Sequence, residues 1–288
     1  MKSMKLPQNL PWKSWYKAIE VRTSRRKYRS QPLSREEISS LEDQIKPLQK
    51  KLSSSRIVIS PSGFDDIIWT VIGSYGLITG AESYAVIIKD TDHGQFKADV
   101  QTGMLGEALI LAATAEEIDT CWVGGMFDEE EVLSNHELKD SEEIAAITPL
   151  GQARDRLTLT EKLAKKFAGS HKRKPLAELC RGSPDADELE DMPDWIREAV
   201  ISARLAPSAV NRQPWMFELK PAAGKVILRE AELEDDHGVS PTLDCGIALL
   251  HILLGARASL SKQAKQREVT FELLNPPAIA EIYPGGQS

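Results

Sequence analysis

The sequence predicts an α+β protein made of two units of one design joined in a single chain. Three observations carry that expectation. At 288 residues the chain is long enough for one large domain or two of ordinary size. Two apolar segments, Gly103–Ala115 (GMLGEALILAATA) and Gly246–Ala258 (GIALLHILLGARA), align without gaps at an offset of 143 residues, close to half the chain. The order of elements around these segments also recurs.

Each apolar segment places its hydrophobic residues at helical spacing with small residues among them, as a closely packed buried helix does. Any two buried helices share that much, so the pair alone does not decide. In the first unit Ser34–Leu48 reads as a helix, and Ser34 with Glu37 three residues on forms a capping box at its start. Strands follow at Arg56–Ser60 and Tyr84–Lys89, then the buried helix, then a strand at Ala145–Gly151. In the second unit a helix spans Pro193–Leu205, with Pro193 in its first turn and Asp191 as candidate N-cap. Pro207 ends it, because the residue before a proline is pushed out of the α region. Strands at Trp215–Lys220 and Lys225–Arg229, the second buried helix and a strand at Val269–Leu274 complete the pattern.

The join lies between about Leu150 and Met192, which divides the chain into residues 1–175 and 176–288. That stretch holds a basic HKRKP and an acidic PDADELED. The acidic run lacks EF-hand ligand spacing and reads as a solvated linker.

Composition narrows the function classes. With 36 Lys and Arg against 43 Asp and Glu, the net charge of −7 disfavours nucleic-acid binding over the whole surface. Cys121, Cys180 and Cys245 are odd in number and widely spaced, so a disulfide framework or structural zinc site is not expected and a reducing compartment fits best. The five histidines show no metal-ligand spacing, and His251 on the buried helix reads as a packed residue. The first twenty residues contain no continuous apolar core of signal-peptide type, and no stretch is expected to reach the length of a membrane span, the most apolar run, Ala108–Ala115, being short and followed by Glu116 and Glu117. The expectation is a cytoplasmic, soluble protein without nucleic-acid or membrane partners.

Three segments are candidates for chemistry. Arg22–Arg29 (RTSRRKYR) has five basic residues of eight, which taken alone describes a solvated patch. Within it Arg22, Ser24 and Arg26 alternate, so an extended backbone turns all three to one face, an arrangement suited to a phosphate dianion. Leu205–Trp215 (LAPSAVNRQPW) is stiffened by two prolines and offers Ser208, Asn211 and Gln213 to a planar heterocycle. Thr120–Gly125 (TCWVGG) places paired glycines after an apolar segment, either as a plain turn or to bring backbone N–H groups close to a ligand. Cys121 there has no identifiable base and reads as filler.

Taken in order, R-x-S-x-R, C-W-x-G-G and A-P-S-A-x-N-x-Q-P-W resemble the FMN-dependent nitroreductase family. In that family two subunits form an intertwined dimer with each FMN at their interface. The first half of this chain keeps Arg22, Ser24, Arg26, the glycine loop and a basic segment at Lys172–Lys174, but reads LSSSRIVI (Leu52–Ile59) where the proline loop belongs. The second half keeps the proline loop, while Asp185 stands beyond Arg181-Gly182-Ser183 where a cation is wanted. The resemblance therefore implies a nitroreductase-like fold of two tandem α+β repeats, fused as a monomeric pseudo-dimer with central antiparallel sheets flanked by helices.

It further implies one FMN per chain. Arg22, Thr23, Ser24, Arg26, Lys172 and Arg173 are expected at the phosphate and ribityl chain, and Gly124 and Gly125 at the flavin N5 edge. Tyr75, Gly76, Leu77 and Ile78 are expected near N1 and the C2 carbonyl, while Pro207, Ser208 and Asn211 reach over from the second half. The implied activity is ping-pong electron transfer from NADH or NADPH to nitroaromatic or quinone-like acceptors. A non-enzymatic flavin carrier or sensor would share every motif. The short interval Asp90–Ala98 leaves no room for a helical lid, so broad acceptor preference is expected.

Overall fold

In the computed structural model, residues 3–68, 78–125, 127–154, 173–181, 190–232, 238–262 and 267–285 are described. Two antiparallel sheets carry the architecture. The first contains β2 (Ser55–Ser60), β3 (Ser83–Asp90), β4 (Asp119–Thr120) and β5 (Glu142–Gly151) in the order β2-β3-β5-β4. The second contains β6 (Trp215–Lys220), β7 (Lys225–Glu230), β8 (Val269–Leu273) and β9 (Ala278–Pro284), with the N-terminal β1 (Met4–Lys5) at one edge, in the order β1-β8-β9-β7-β6. Met4 pairs with Phe271 and Lys5 with Thr270, so the start of the chain completes the sheet built by its end.

Helices α1 (Trp12–Val21) and α2 (Arg35–Lys51) precede the first sheet, which also carries the short α3 (Phe64–Ile67), the long α4 (Gln95–Ala115) and α5 (Glu129–Asn135). After these come α6 (Leu176–Leu179), α7 (Asp194–Arg204) and the long α8 (Pro241–Leu260). The capping box closes α2 as the sequence predicts: the Glu37 N–H donates to Ser34 Oγ at 3.2 Å and the Ser34 N–H donates to Glu37 Oε2 at 2.7 Å. Helix α7 departs from expectation at its start. Pro193 occupies the N-cap position, Asp194 is the first helical residue, and no side chain caps the helix, Asp191 included.

Helices α4 and α8 form the centre. Every residue from Ala98 to Ala113 and from Leu243 to Ala256 is buried, so both helices are enclosed on every side, mostly by apolar contacts. Helix α8 is long and apolar enough to cross a membrane, contrary to the expectation that no stretch reaches that length. Its apolar window is 94% buried among protein neighbours, which accounts for the composition as core packing. One hydrophobic cluster runs through α1, α2, α4, α7, α8 and the inner faces of both sheets.

The α4–α8 contact has a two-sided form. A Cβ on Gly103 would strike the Leu243 carbonyl oxygen, and a Cβ on Gly246 would strike the Val100 carbonyl oxygen. Gly103 and Gly246 are the aligned glycines, and Val100 and Leu243 stand three residues before them. The next residues repeat the relation: Gln101 Oε1 accepts from the Ser54 N–H at 3.0 Å, and both Asp244 carboxylate oxygens accept from the Ala209 N–H at 3.2 Å. The glycine contacts correspond on both sides at the offset of 143 residues, as do the acceptors Gln101 and Asp244, while their donors Ser54 and Ala209 lie 155 apart; reciprocity of the glycine contacts is the pattern of an isologous interface.

Candidate functional site

A cavity of about 380 Å³ opens where segments from both halves of the chain converge. That volume lies within the roughly 300–1,000 Å³ range of small-molecule and cofactor sites. Its walls include Arg22, Ser24, Arg26, Gly124 and Arg173 on one side, and Pro207, Ser208 and Asn211 on the other.

The arginine segment is held extended beside β4. Ser24 bridges Thr120 in parallel, and the Arg25 N–H donates to the Thr120 carbonyl at 2.9 Å. Alternation then separates the side chains. Arg22, Ser24 and Arg26 face the cavity, while Arg25 turns to Asp119, its Nε 3.9 Å from the carboxylate. Thr23 turns away as well, its hydroxyl donating to the Val21 carbonyl.

The TCWVGG segment begins as strand and ends as turn. Val123 exchanges backbone hydrogen bonds with Ile147 at 2.9 and 3.0 Å, after which the chain bends at Gly124. A Cβ on Gly124 would come within 2.7 Å of Val239 Cγ2, so a side chain here would press on the valine of the loop entering α8. Gly125 meets no such neighbour and does not line the cavity.

Among the described residues, backbone strain concentrates in the proline loop. Val210, Asn211 and Gln213 have φ of 46°, 58° and 51°, within a single turn following α7. Asparagine tolerates that region, whereas a β-branched valine there is an outlier held only by its surroundings. The restraints are visible. Asp244 accepts from the Ala209 N–H and from Arg212 Nε at 2.8 Å, Ser208 Oγ accepts from the Gln213 N–H at 2.9 Å, and Arg173 Nη1 donates to Asn211 Oδ1 at 2.9 Å. Burial pushes the Asp244 carboxyl up to about 6, against the pull of the neighbouring Arg212.

Positive charge dominates the other wall. Burial, reinforced by Arg22, brings Arg173 down to about 10, so it remains a cation at neutral pH. Burial raises the Cys121 thiol, outweighing Arg26, the Ser24 hydrogen bond and Arg22, so the thiol is not an activated nucleophile. Arg22 is the most telling group: its side chain is 6% exposed, and its Nε is buried with no hydrogen-bond partner. The Glu107 carboxylate stands 4.0 Å from it, within ion-pair but beyond hydrogen-bond distance, and a buried donor without a hydrogen bond is costly, so a bound anion would satisfy it.

Of the residues expected from sequence, Arg22, Ser24, Arg26, Gly124, Arg173, Pro207, Ser208 and Asn211 meet at this cavity. Thr23 and Gly125 adjoin it without lining it. Ile78 packs instead on a separate apolar cluster with Tyr28, Phe64 and Tyr84. Tyr75, Gly76, Leu77 and Lys172 lie outside the described residues, as do Gly182, Ser183 and Asp185. Sequence reasoning missed Trp122, Val239, Leu243, Asp244 and Ile247, which also line the cavity. The first turns of α8 carried a usable signal, since an acid at Asp244 interrupts an otherwise apolar run.

Fold and site together define an α+β protein whose arginine-lined cavity is assembled from both halves of one chain. Comparison with known proteins sharpens this. The family model described as "Putative TM nitroreductase" matches residues 14–256, and the chain belongs to the nitroreductase family. A crystal structure from Thermotoga maritima superposes with a TM-score of 0.60 at 23% identity, covering 93% of each chain. A nitroreductase family protein from Clostridium difficile gives 0.44 at 17% identity, over 57% of this chain and 94% of that one. A nitroreductase with bound FMN from Desulfitobacterium hafniense gives 0.41 at 18% identity, over 50% and 91%. No curated protein matches the sequence. The fold is nitroreductase-like, and family membership supports an oxidoreductase.

Proposed function

We propose that the chain is an FMN-dependent oxidoreductase of nitroreductase type, taking electrons from NAD(P)H and passing them to nitroaromatic or quinone-like acceptors by a ping-pong route. One observation carries this reading: residues of the nitroreductase motifs, far apart in sequence, line one cavity around a buried arginine whose Nε makes no hydrogen bond. Arg22, Ser24, Arg26 and Arg173 would hold the phosphate, since guanidinium forks match phosphate oxygens in pairs. Gly124, with no side chain in the way, would offer its backbone to the ring edge. Pro207, Ser208 and Asn211 would close over the ring from the second half, on a loop held by hydrogen bonds to Asp244, Ser208 and Arg173. When bound, FMN supplies hydride acceptance and donation at N5, chemistry that belongs to the cofactor rather than to a side chain.

The two halves, residues 1–175 and 176–288, are read as a fused pseudo-dimer acting as a monomer with one FMN. The reciprocal glycine contacts and the paired Gln101 and Asp244 hydrogen bonds support that reading. At the symmetry-related position Leu52, Ser53 and Ser54 replace the proline loop, and Ser54 is fully buried. Only residues 91–94 connect β3 to α4, too few for a helical cover, in keeping with broad acceptor use. Flavin-loaded protein mixed anaerobically with NAD(P)H should bleach, then regain its colour with menadione or a nitroaromatic. Loaded protein that keeps its colour under NAD(P)H would instead be a carrier.

A further inference from the structure

We propose that His251 is a positioning residue which keeps the Arg22 guanidinium free to hydrogen-bond an anion, by occupying the Glu107 carboxylate that would otherwise take that hydrogen bond; this rests on the flavin reading above. Glu107 on α4 and His251 on α8 are both fully buried. Glu107 Oε1 lies 2.9 Å from His251 Nε2, and Glu107 Oε2 accepts from Trp122 Nε1 at 2.9 Å. His251 Nδ1 lies 3.0 Å from the Ser202 carbonyl oxygen. That oxygen can only accept, so Nδ1 carries a hydrogen. Nε2 and Oε1 must then share a second proton, because two lone pairs do not face each other at hydrogen-bond distance.

Both oxygens of Glu107 are therefore engaged, by groups from α8 and from the TCWVGG segment. Arg22 Nε is 4.0 Å from Oε1, close enough for an ion pair but beyond hydrogen-bond reach, and makes no hydrogen bond. The placement of Trp122 is built in as well, since a Cβ on the adjacent Gly106 would collide with its indole ring. A guanidinium clasped by a carboxylate would have spent its fork on that contact, whereas this one still faces the cavity.

The network belongs to one side of the molecule. At the offset of 143 residues, Glu107 corresponds to Leu250 and His251 to Ala108, so the symmetry-related pair is apolar. The polar pair stands only beside the cavity that kept its arginines.

The test compares FMN with riboflavin, which lacks the phosphate, by quenching of flavin fluorescence on titration. His251→Leu keeps the volume and frees Glu107 to close on Arg22. FMN affinity should fall about tenfold or more, the worth of one charge-assisted hydrogen bond, with riboflavin affinity unchanged. His251→Gln, which offers Glu107 a donor, should restore the preference for FMN. So should Glu107→Gln placed on His251→Leu, because no carboxylate then remains to capture Arg22. Glu107→Gln alone keeps a full set of hydrogen bonds and should bind FMN at least as tightly as the parent protein. An unchanged FMN-to-riboflavin ratio in His251→Leu, or weaker FMN binding in Glu107→Gln, would overturn the inference while leaving the cofactor reading intact. Parent protein that takes up neither flavin would overturn the cofactor reading itself, and this inference with it.

Discussion

Replacing Gly103 by alanine puts a methyl group into the backbone of α8 rather than into a side chain. The added Cβ would sit closer than 3.0 Å to the Leu243 carbonyl oxygen and 2.9 Å from the Ile247 nitrogen. No rotamer relieves a clash between backbones, so α4 and α8 must separate by about 1 Å in a core packed to crystal density. Overpacking of this kind costs about 3 kcal/mol, and removing glycine from a helix interior returns about 1 kcal/mol, leaving a loss near 2 kcal/mol. At roughly 2 °C per kcal/mol for a chain of this size, the melting temperature should fall by about 4 °C. Gly246→Ala meets the Val100 backbone in the same way and should cost about as much. The double variant should lose clearly less than the sum, because one separation of the helices relieves both clashes. Leu243 and Ile247 also line the cavity, so FMN affinity should drop in step. Thermal unfolding of the four proteins decides it. Single variants within about 0.5 kcal/mol of the parent, or full additivity, would refute the reciprocal contact.

Arg22→Ala combined with Arg26→Ala should abolish FMN retention while the far-ultraviolet spectrum stays unchanged; flavin affinity equal to the parent's would reject the phosphate assignment. Val210→Gly should stabilise the protein by about 1 kcal/mol, because glycine accepts the positive φ that valine resists, and a lower melting temperature would contradict this. Glu142 is held down from the usual 4.5 to about 2, chiefly by its hydrogen bond from Arg56. A carboxyl with a depressed native value adds stability above its unfolded value and loses it as pH falls through the native one. Glu142→Gln should therefore flatten the acid limb of stability between about pH 4.5 and 2, seen in urea midpoints measured across that range.

Much of this architecture is legible in the sequence because it rests on local rules. The Ser34–Glu37 box marks the start of α2, Trp215–Lys220 alternates as a strand, and the small residues in Gly103–Ala115 announce a buried helix. The alternation of Arg22, Ser24 and Arg26 predicts a shared face, and the three side chains line one cavity. What stayed hidden depends on tertiary partners. Thr23 and Gly125 lie within the right motifs but turn away or stand clear, which only the pairing of Ser24 with Thr120 and the bend after Val123 determine. Ile78 is drawn to an apolar cluster that no local pattern reveals. Asp191 has the chemistry of a cap, yet Pro193 takes the position. His251 reads correctly as a packed residue, but its partner Glu107 comes from 144 positions away, and the short β1 strand likewise finds its mate only at Phe271.

The central claim is that two unlike halves of one chain hold a single flavin between them. The flavin-to-protein ratio of the purified chain, read from its visible spectrum and from the cofactor released on denaturation, tests this most directly. The account predicts a yellow protein carrying one FMN per polypeptide. A colourless protein that ignores added FMN, or one that takes up two per polypeptide, would contradict it.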